Sequence, residues 1–337
     1  MTATVDIHAH AMPMPVLTWL EGEGLADLRG VDTGTLRLDP RISGVAPDAV
    51  IPLARSQWDV EDRLAQMDAI GVDVQAVSPP PFLMAATCSD ANLVREVLRR
   101  GNDALGDFVS AAPDRLVALG CAPVGLVEAV DEAARVLDLG MAGIAIGTRG
   151  AGRELDDDVN EPLWSLLAER EVMTFLHPSG VPDLDRLSDY YLPQLLGYPM
   201  ETAIAVTRLV FAGVRERHNF PLVLAHGGGC LPAVRGRLDL GWERKSLART
   251  TPEPPSSYLE GLHFDTAVFS TSVLTDLVDV FGVERVLLGT DFPFDLADRE
   301  PLITVASLGL DEVDADRIRG GTAWQLLGLA QPEGTRS

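Results

Sequence analysis

The sequence predicts an α/β protein folded as a (β/α)8, or TIM, barrel, distorted by a small insertion near its N-terminus. Three observations lead there. Eight short runs, nearly continuous in apolar character, recur along the 337 residues with amphipathic segments between them, the pattern of parallel strands covered by helices on their outer side. Hydrophobic residues make up 46% of the chain and charged residues 23%, enough apolar material for one sizeable core. No Gly-x-Gly-x-x-Gly follows an early strand, which argues against an open, doubly wound sheet that binds a dinucleotide.

In chain order, the expected strands are Thr4–Ala9, Val72–Ser78, Leu116–Cys121, Gly143–Gly147, Val172–His177, Leu222–His226, His263–Thr266 and Arg285–Gly289. Helical periodicity marks Asp59–Ile70, Asn92–Phe108, Leu126–Leu139, Glu161–Arg170, Met200–Glu216 and Thr271–Phe281. Two regions break the alternation. Residues 12–57 are rich in Pro and Gly and weakly periodic, and are expected to form an insertion over the barrel mouth. Arg237–Gly261, with Thr251-Pro252-Glu253-Pro254-Pro255, reads as a loop or arm. The barrel is expected to fill residues 1–330 as one domain, with residues 331–337 a flexible tail.

Composition excludes several function classes. With 27 basic and 50 acidic side chains, the formal charge is −23, unsuited to nucleic acid or an anionic membrane. Lys245 is the only lysine and sits in the charged stretch Glu243-Arg244-Lys245-Ser246, so Schiff-base, pyridoxal phosphate and P-loop chemistry lack their central residue. Cys88, Cys121 and Cys230 are odd in number and far apart, which speaks against a disulfide framework or thiolate zinc and suits a reducing cytoplasm. Neither a signal peptide nor a membrane span is expected from the opening residues, which have no basic n-region and no long apolar run.

Placement of the histidines carries the chemistry. His8 and His10 alternate along the first expected strand, with Asp6 on the same face. His177 ends the fifth strand, His226 ends the sixth in Ala225-His226-Gly227-Gly228-Gly229, and Asp291 follows the eighth in Gly289-Thr290-Asp291-Phe292-Pro293. In a parallel barrel all strand C-termini open on one mouth, where such barrels do their chemistry. Imidazole nitrogens and a carboxylate gathered there suit Zn²⁺ or a similar divalent ion.

These motifs, with Trp58-Asp59-Val60-Glu61-Asp62-Arg63 and Met67-Asp68-Ala69-Ile70-Gly71-Val72-Asp73, make the chain resemble the amidohydrolase superfamily. Within it, the chain is similar to the branch of the aminocarboxymuconate-semialdehyde and γ-resorcylate decarboxylases. The resemblance implies metal ligation by His8, His10, His177 and Asp291, with His226 as acid–base or electrostatic partner. It also implies a homodimer in which Arg237 holds a substrate carboxylate across the subunit boundary. Binuclear members bridge two metals through a carboxylated lysine on the fourth strand. Here that strand reads Gly143-Ile144-Ala145-Ile146-Gly147, so one ion is expected, Zn²⁺ first and Mn²⁺ or Co²⁺ otherwise.

The function so implied is a cytoplasmic, metal-dependent, non-oxidative decarboxylase acting on a small unsaturated or aromatic carboxylic acid. The alternative is a hydrolase or hydratase, of lactonase type, that uses a metal-activated water on the same residues. Phe82, Met84 and Phe294, in loops after the second and eighth strands, are candidates for the substrate wall. Ile51 and Gln194 occupy positions where the muconate enzymes carry an arginine and an aromatic, which points to a different acid as substrate.

Overall fold

The computed structural model describes residues 3–329, and the expected tail lies outside the described residues. Eight strands run in chain order around one parallel sheet: β1 (Val5–His10), β2 (Val74–Ser78), β3 (Leu116–Cys121), β4 (Gly143–Gly147), β5 (Thr174–His177), β6 (Leu222–Leu224), β7 (His263–Asp265) and β8 (Val286–Leu287). Backbone hydrogen bonds join the two ends of the sheet. Ile7 donates to the Leu288 carbonyl at 2.9 Å, Asp291 to that of His8 at 2.9 Å, and His10 to that of Phe292 at 2.8 Å. The expected barrel therefore forms, and its closing seam runs directly beneath His8, His10 and Asp291.

The apolar character of the strands has a simple cause: both of their faces are buried. Ala145, Phe175 and Val223 stand side by side across β4, β5 and β6 and fill the interior. Their neighbours Ile144, Leu176, Leu222 and Leu224 face outward and pack with helix residues such as Val206, Leu209 and Val210. The helices begin where polar caps allow. Asp59 accepts from the Asp62 amide at 3.0 Å to start Val60–Ile70, and Asp90 accepts from Asn92 and Leu93 to start Ala91–Ser110.

The segment expected to form an insertion contains a helix, Met14–Gly22, followed by an antiparallel sheet of Ala26–Asp27, Thr35–Leu38 and Ile51–Pro52. Val16, Leu17 and Leu20 anchor the helix in the core. Two expectations need correction. The stretch taken for a loop from Arg237 is largely helical: Leu231–Arg244 is one helix and Pro255–Leu259 another. Only Leu231 of the first is buried, so the apolar stripe that marks a helix in sequence is missing. The helix expected over Met200–Glu216 is instead Tyr198–Phe211 followed by Val214–Arg217, split at Gly213 with φ 72°. Among the described residues no helix is long and apolar enough to cross a membrane.

Candidate metal centre and acid-binding cavity

Side chains from β1 and β5 and from the turns that follow β6 and β8 converge at the C-terminal end of the barrel. The strand β1 carries one extra residue against β2 between Asp6 and Ala9, a bulge that turns its histidines toward the axis. His8 Nε2 lies 3.1 Å from His10 Nε2 and 3.2 Å from Asp291 Oδ1, and His10 Nε2 lies 3.3 Å from that same oxygen. The ring of His177 stands 5.1 Å from that of His8 and 4.9 Å from that of His10, centroid to centroid. His226 Nε2 faces Asp291 Oδ2 at 3.5 Å.

The sixth strand was expected to run to His226 and ends at Leu224 instead. His226, Gly227, Gly228 and Gly229 all hold positive φ, between 56° and 75°, which breaks the extended backbone and swings the imidazole over the mouth. A side chain on Gly229 would meet the Pro199 carbonyl oxygen at 2.3 Å. Asp291 also holds a left-handed backbone, φ 62°. Such positions cost about 1–3 kcal/mol each in a non-glycine residue and gather at functional sites.

Three of the imidazoles, those of His8, His10 and His177, are oriented from behind. His177 Nδ1 lies 2.8 Å from the Pro178 carbonyl, which fixes Nδ1 as the donor and leaves Nε2 a lone pair. His10 Nδ1 contacts Ser78 Oγ at 3.1 Å. His8 Nδ1 meets Asp265 Oδ2 at 2.6 Å, and Asp265 Oδ1 in turn accepts from the Gly227 and Ala267 amides at 2.8 and 3.1 Å. Asp265 was missed in the sequence. Its one signal was a carboxylate at the end of a short expected strand, His263-Phe264-Asp265, fully buried here. Gly289 makes the contact possible, since a Cβ there would stand 2.7 Å from that of Asp265 and 3.0 Å from that of His8.

Electrostatics divide the imidazoles. Burial holds His10 below its ordinary pKa and His177 well below, so both are neutral and available as ligands. Burial also opposes charge on His8, but Asp291 and Asp265 outweigh it and push that imidazole up to about 10. Burial would raise the Asp291 carboxyl, yet the surrounding His8, His10 and His226 hold it well below the usual carboxylate range.

The group fits a divalent ion. His8, His177, His226 and Asp291 each offer one ligand atom within 4.8 Å of the others, and His10 Nε2 points into the same space. His177 Nε2 and Asp291 Oδ1 are buried with no hydrogen-bond partner, the condition of donors waiting for a cation. The fourth strand carries no lysine and Lys245 is exposed, so no lysine bridges a second ion.

A cavity of about 540 Å³ opens above this group and is lined by His177, His226 and Asp291 at its floor. Phe82, Gln194 and Phe294 line it as expected, with the Phe82 and Phe294 rings edge to face at 6.0 Å and Phe294 5.4 Å from the His10 ring. Met84 does not line it and is packed in the core. Arg237 is exposed on its helix and lies outside the cavity of its own chain, whereas Arg235 lines the wall. Cys230 also reaches the cavity; burial raises its thiol above the ordinary value, which disfavours the reactive thiolate.

A family profile described as Amidohydrolase matches residues 5–329. The chain is 32% identical over 340 residues to the 2-amino-3-carboxymuconate-6-semialdehyde decarboxylase of Dictyostelium discoideum, which spans 96% of this chain and 91% of that protein. It is 29% identical over 265 residues to the gamma-resorcylate decarboxylase of Rhizobium sp., over 71% and 79% of the two chains. The crystal structure of a dihydroxybenzoic acid decarboxylase from Polaromonas sp., holding manganese and the inhibitor 2-nitroresorcinol, shares the fold with a TM-score of 0.76 at 22% identity over 97% of each chain. With the same barrel and a family match along nearly its whole length, this chain belongs to the amidohydrolase family.

Proposed function

We propose that the protein is a metal-dependent, non-oxidative decarboxylase that removes CO2 from a small unsaturated or aromatic carboxylic acid. The observation that carries this reading is the Asp291–His226 pair at the floor of an aromatic-walled cavity, set directly against the ligand cluster of His8, His10 and His177. Decarboxylation needs three things: a fixed carboxylate, a place for the electron pair left on carbon, and a proton for that carbon. When bound, a single divalent ion held by His8, His10, His177 and Asp291 supplies Lewis acidity that orients the acid and lowers the cost of the negative charge. Zn²⁺ suits the imidazole-rich donor set, and the manganese in the Polaromonas enzyme makes Mn²⁺ the first alternative.

The chain's own residues do the rest. The Phe82 and Phe294 rings form one wall and clamp a planar substrate face. Gln194 offers an amide to a polar substituent at the rim. The C–C bond breaks as CO2 departs, and the proton held between Asp291 and His226 passes to the vacated carbon. These two are chosen because they both line the cavity and touch one another. Arg237, exposed and unpaired among the described residues, is assigned to the neighbouring active site of a homodimer, where a guanidinium would grip a carboxylate in two-pronged fashion. A reducing cytoplasm suits three unpaired cysteines.

The test is CO2 release from a panel of phenolic and muconate-type acids by the metal-loaded protein. Release that stops on chelation and returns with Zn²⁺ or Mn²⁺ supports the reading. A folded, metal-loaded protein that releases no CO2 from the panel yet hydrolyses lactones or amides would replace it with the hydrolase alternative.

A further inference from the structure

Behind the ligand cluster, on the side away from the cavity, lies a buried polar network that the chemistry above does not use. Arg63, on the helix Val60–Ile70, is fully buried, and no carboxylate among the described residues lies within ion-pair distance of it. Burial lowers its guanidinium only to about 9, so it is charged at neutral pH. A buried cation without a paired anion is costly unless its donors find acceptors. They are used in one particular way. Arg63 Nε donates to the Ser56 carbonyl at 2.9 Å, Nη1 to Gln75 Oε1 at 2.8 Å, and Nη2 to the carbonyl of His10. The Phe108 and Phe292 rings flank the guanidinium at 5.5 and 5.1 Å.

Gln75 turns this into a bridged charge pair. With its oxygen on Arg63, its amide nitrogen is free to donate to Asp6 Oδ2 at 3.0 Å. An amide laid this way places its negative end on the cation and its positive end on the anion. Asp6 is also fully buried and accepts from the His8 amide at 3.0 Å, the Thr290 amide at 3.0 Å and Thr290 Oγ1 at 2.7 Å. The His8 amide lies within the bulge of β1, so Asp6 replaces the ladder partner that the bulge removes. One network thus grips the His8 amide, the His10 carbonyl and the residue before Asp291.

We propose that Arg63 is a positioning residue of the metal centre, holding His10 by its carbonyl and bracing His8 and Thr290 through the Gln75–Asp6 bridge. Arg63 touches neither the cavity nor a ligand atom, and it acts through backbone placement alone. The proposal rests on the metal-site reading, but its primary readout is metal affinity without substrate, so it stands or falls separately from decarboxylation.

The test compares Arg63→Met, Arg63→Lys and Gln75→Met with the wild type by chelator competition for Zn²⁺ and Mn²⁺, with thermal unfolding of the metal-free proteins alongside. Arg63→Met is expected to weaken metal affinity roughly 10- to 100-fold, the range for lost groups behind a ligand. Arg63→Lys keeps the charge but places its donors on a single nitrogen, and is expected to recover part of that loss. Gln75→Met leaves Arg63 in place, cuts the bridge, and is expected to weaken affinity in the same direction. At saturating metal both Met variants should lower kcat more than they raise KM. If Arg63→Met fails to fold, Gln75→Met decides. A folded Gln75→Met or Arg63→Met protein with wild-type metal affinity would overturn the proposal and leave Arg63 a packing group.

Discussion

His226 Nε2 stands 3.5 Å from Asp291 Oδ2, and both residues reach that contact from left-handed backbone, φ 56° and φ 62°. The strain is held from two sides. Gly229 packs against the Pro199 carbonyl behind His226, and the Asp291 amide is tied to the His8 carbonyl at 2.9 Å. The proposed acid–base pair is thereby fixed at the edge of the candidate ligand cluster before any substrate arrives.

Because the proposed reading gives His226 the proton-transfer role and leaves ligation to His8, His10, His177 and Asp291, metal and catalysis should separate on mutation. His177→Ala and Asp291→Ala are expected to abolish activity and weaken metal retention together. His226→Ala should lower kcat by about 10²–10⁴-fold, the usual worth of a positioned proton-transfer group, while keeping more of the metal. Metal content by elemental analysis, read beside turnover, checks this, and equal metal loss in all three variants would refute the separate role of His226.

Asp265 fixes His8 from a position 257 residues away, at 2.6 Å. Asp265→Asn keeps the shape but removes the charge that faces the imidazole, and should cost roughly 10- to 100-fold in metal affinity with little change in the fold. Chelator competition measures it. An unchanged dissociation constant would show that His8 needs no such support.

Gly229→Ala asks for a Cβ at φ 59°, 2.3 Å from the Pro199 carbonyl oxygen. A left-handed alanine alone costs about 1–3 kcal/mol, and the contact forces the turn to move. Lowered thermal stability together with loss of turnover is expected. A variant with wild-type melting and rate would mean the turn is not held in the way described.

His263 sets an acid limit on stability far from the site. It is buried at the start of β7 beside Arg285, 3.2 Å away; burial first, then Arg285 and Arg215, hold it down at about 4 from an ordinary 6.5. Above 6.5 neither the folded nor the unfolded chain carries this charge, so the group is neutral to stability there. As pH falls from 6.5 toward 4, only the unfolded chain takes up the proton, and stability drops by about 3 kcal/mol in total. His263→Gln should remove that part of the slope in denaturant unfolding between pH 7.5 and 4.5, and an unchanged slope would contradict it.

What the sequence revealed follows from the range of the interactions involved. β3, β4 and the helix Thr271–Phe281 fall on the expected residues, because apolar continuity and amphipathic spacing are local properties. The candidate ligand cluster was legible for a related reason: His10 and His177 end strands, His8 shares a strand with His10, Asp291 follows one closely, and strand order brings those ends together. Strand β6 was misread at its end because the turn at His226 depends on how Gly229 meets Pro199, a tertiary contact. Asp265 and Arg63 escaped for the same cause. Their partners, His8 and the His10 carbonyl, are set by barrel closure, and neither residue type carries a pattern that announces it.

Solvent labelling tests the central claim most directly. An accepted acid turned over in ¹⁸O-enriched D2O should give CO2 and an organic product in equal amounts, with deuterium on the carbon that bore the carboxylate and no solvent oxygen in that product. Solvent oxygen in the organic product, with the carboxylate retained, would contradict decarboxylation and assign the site to hydrolysis or hydration.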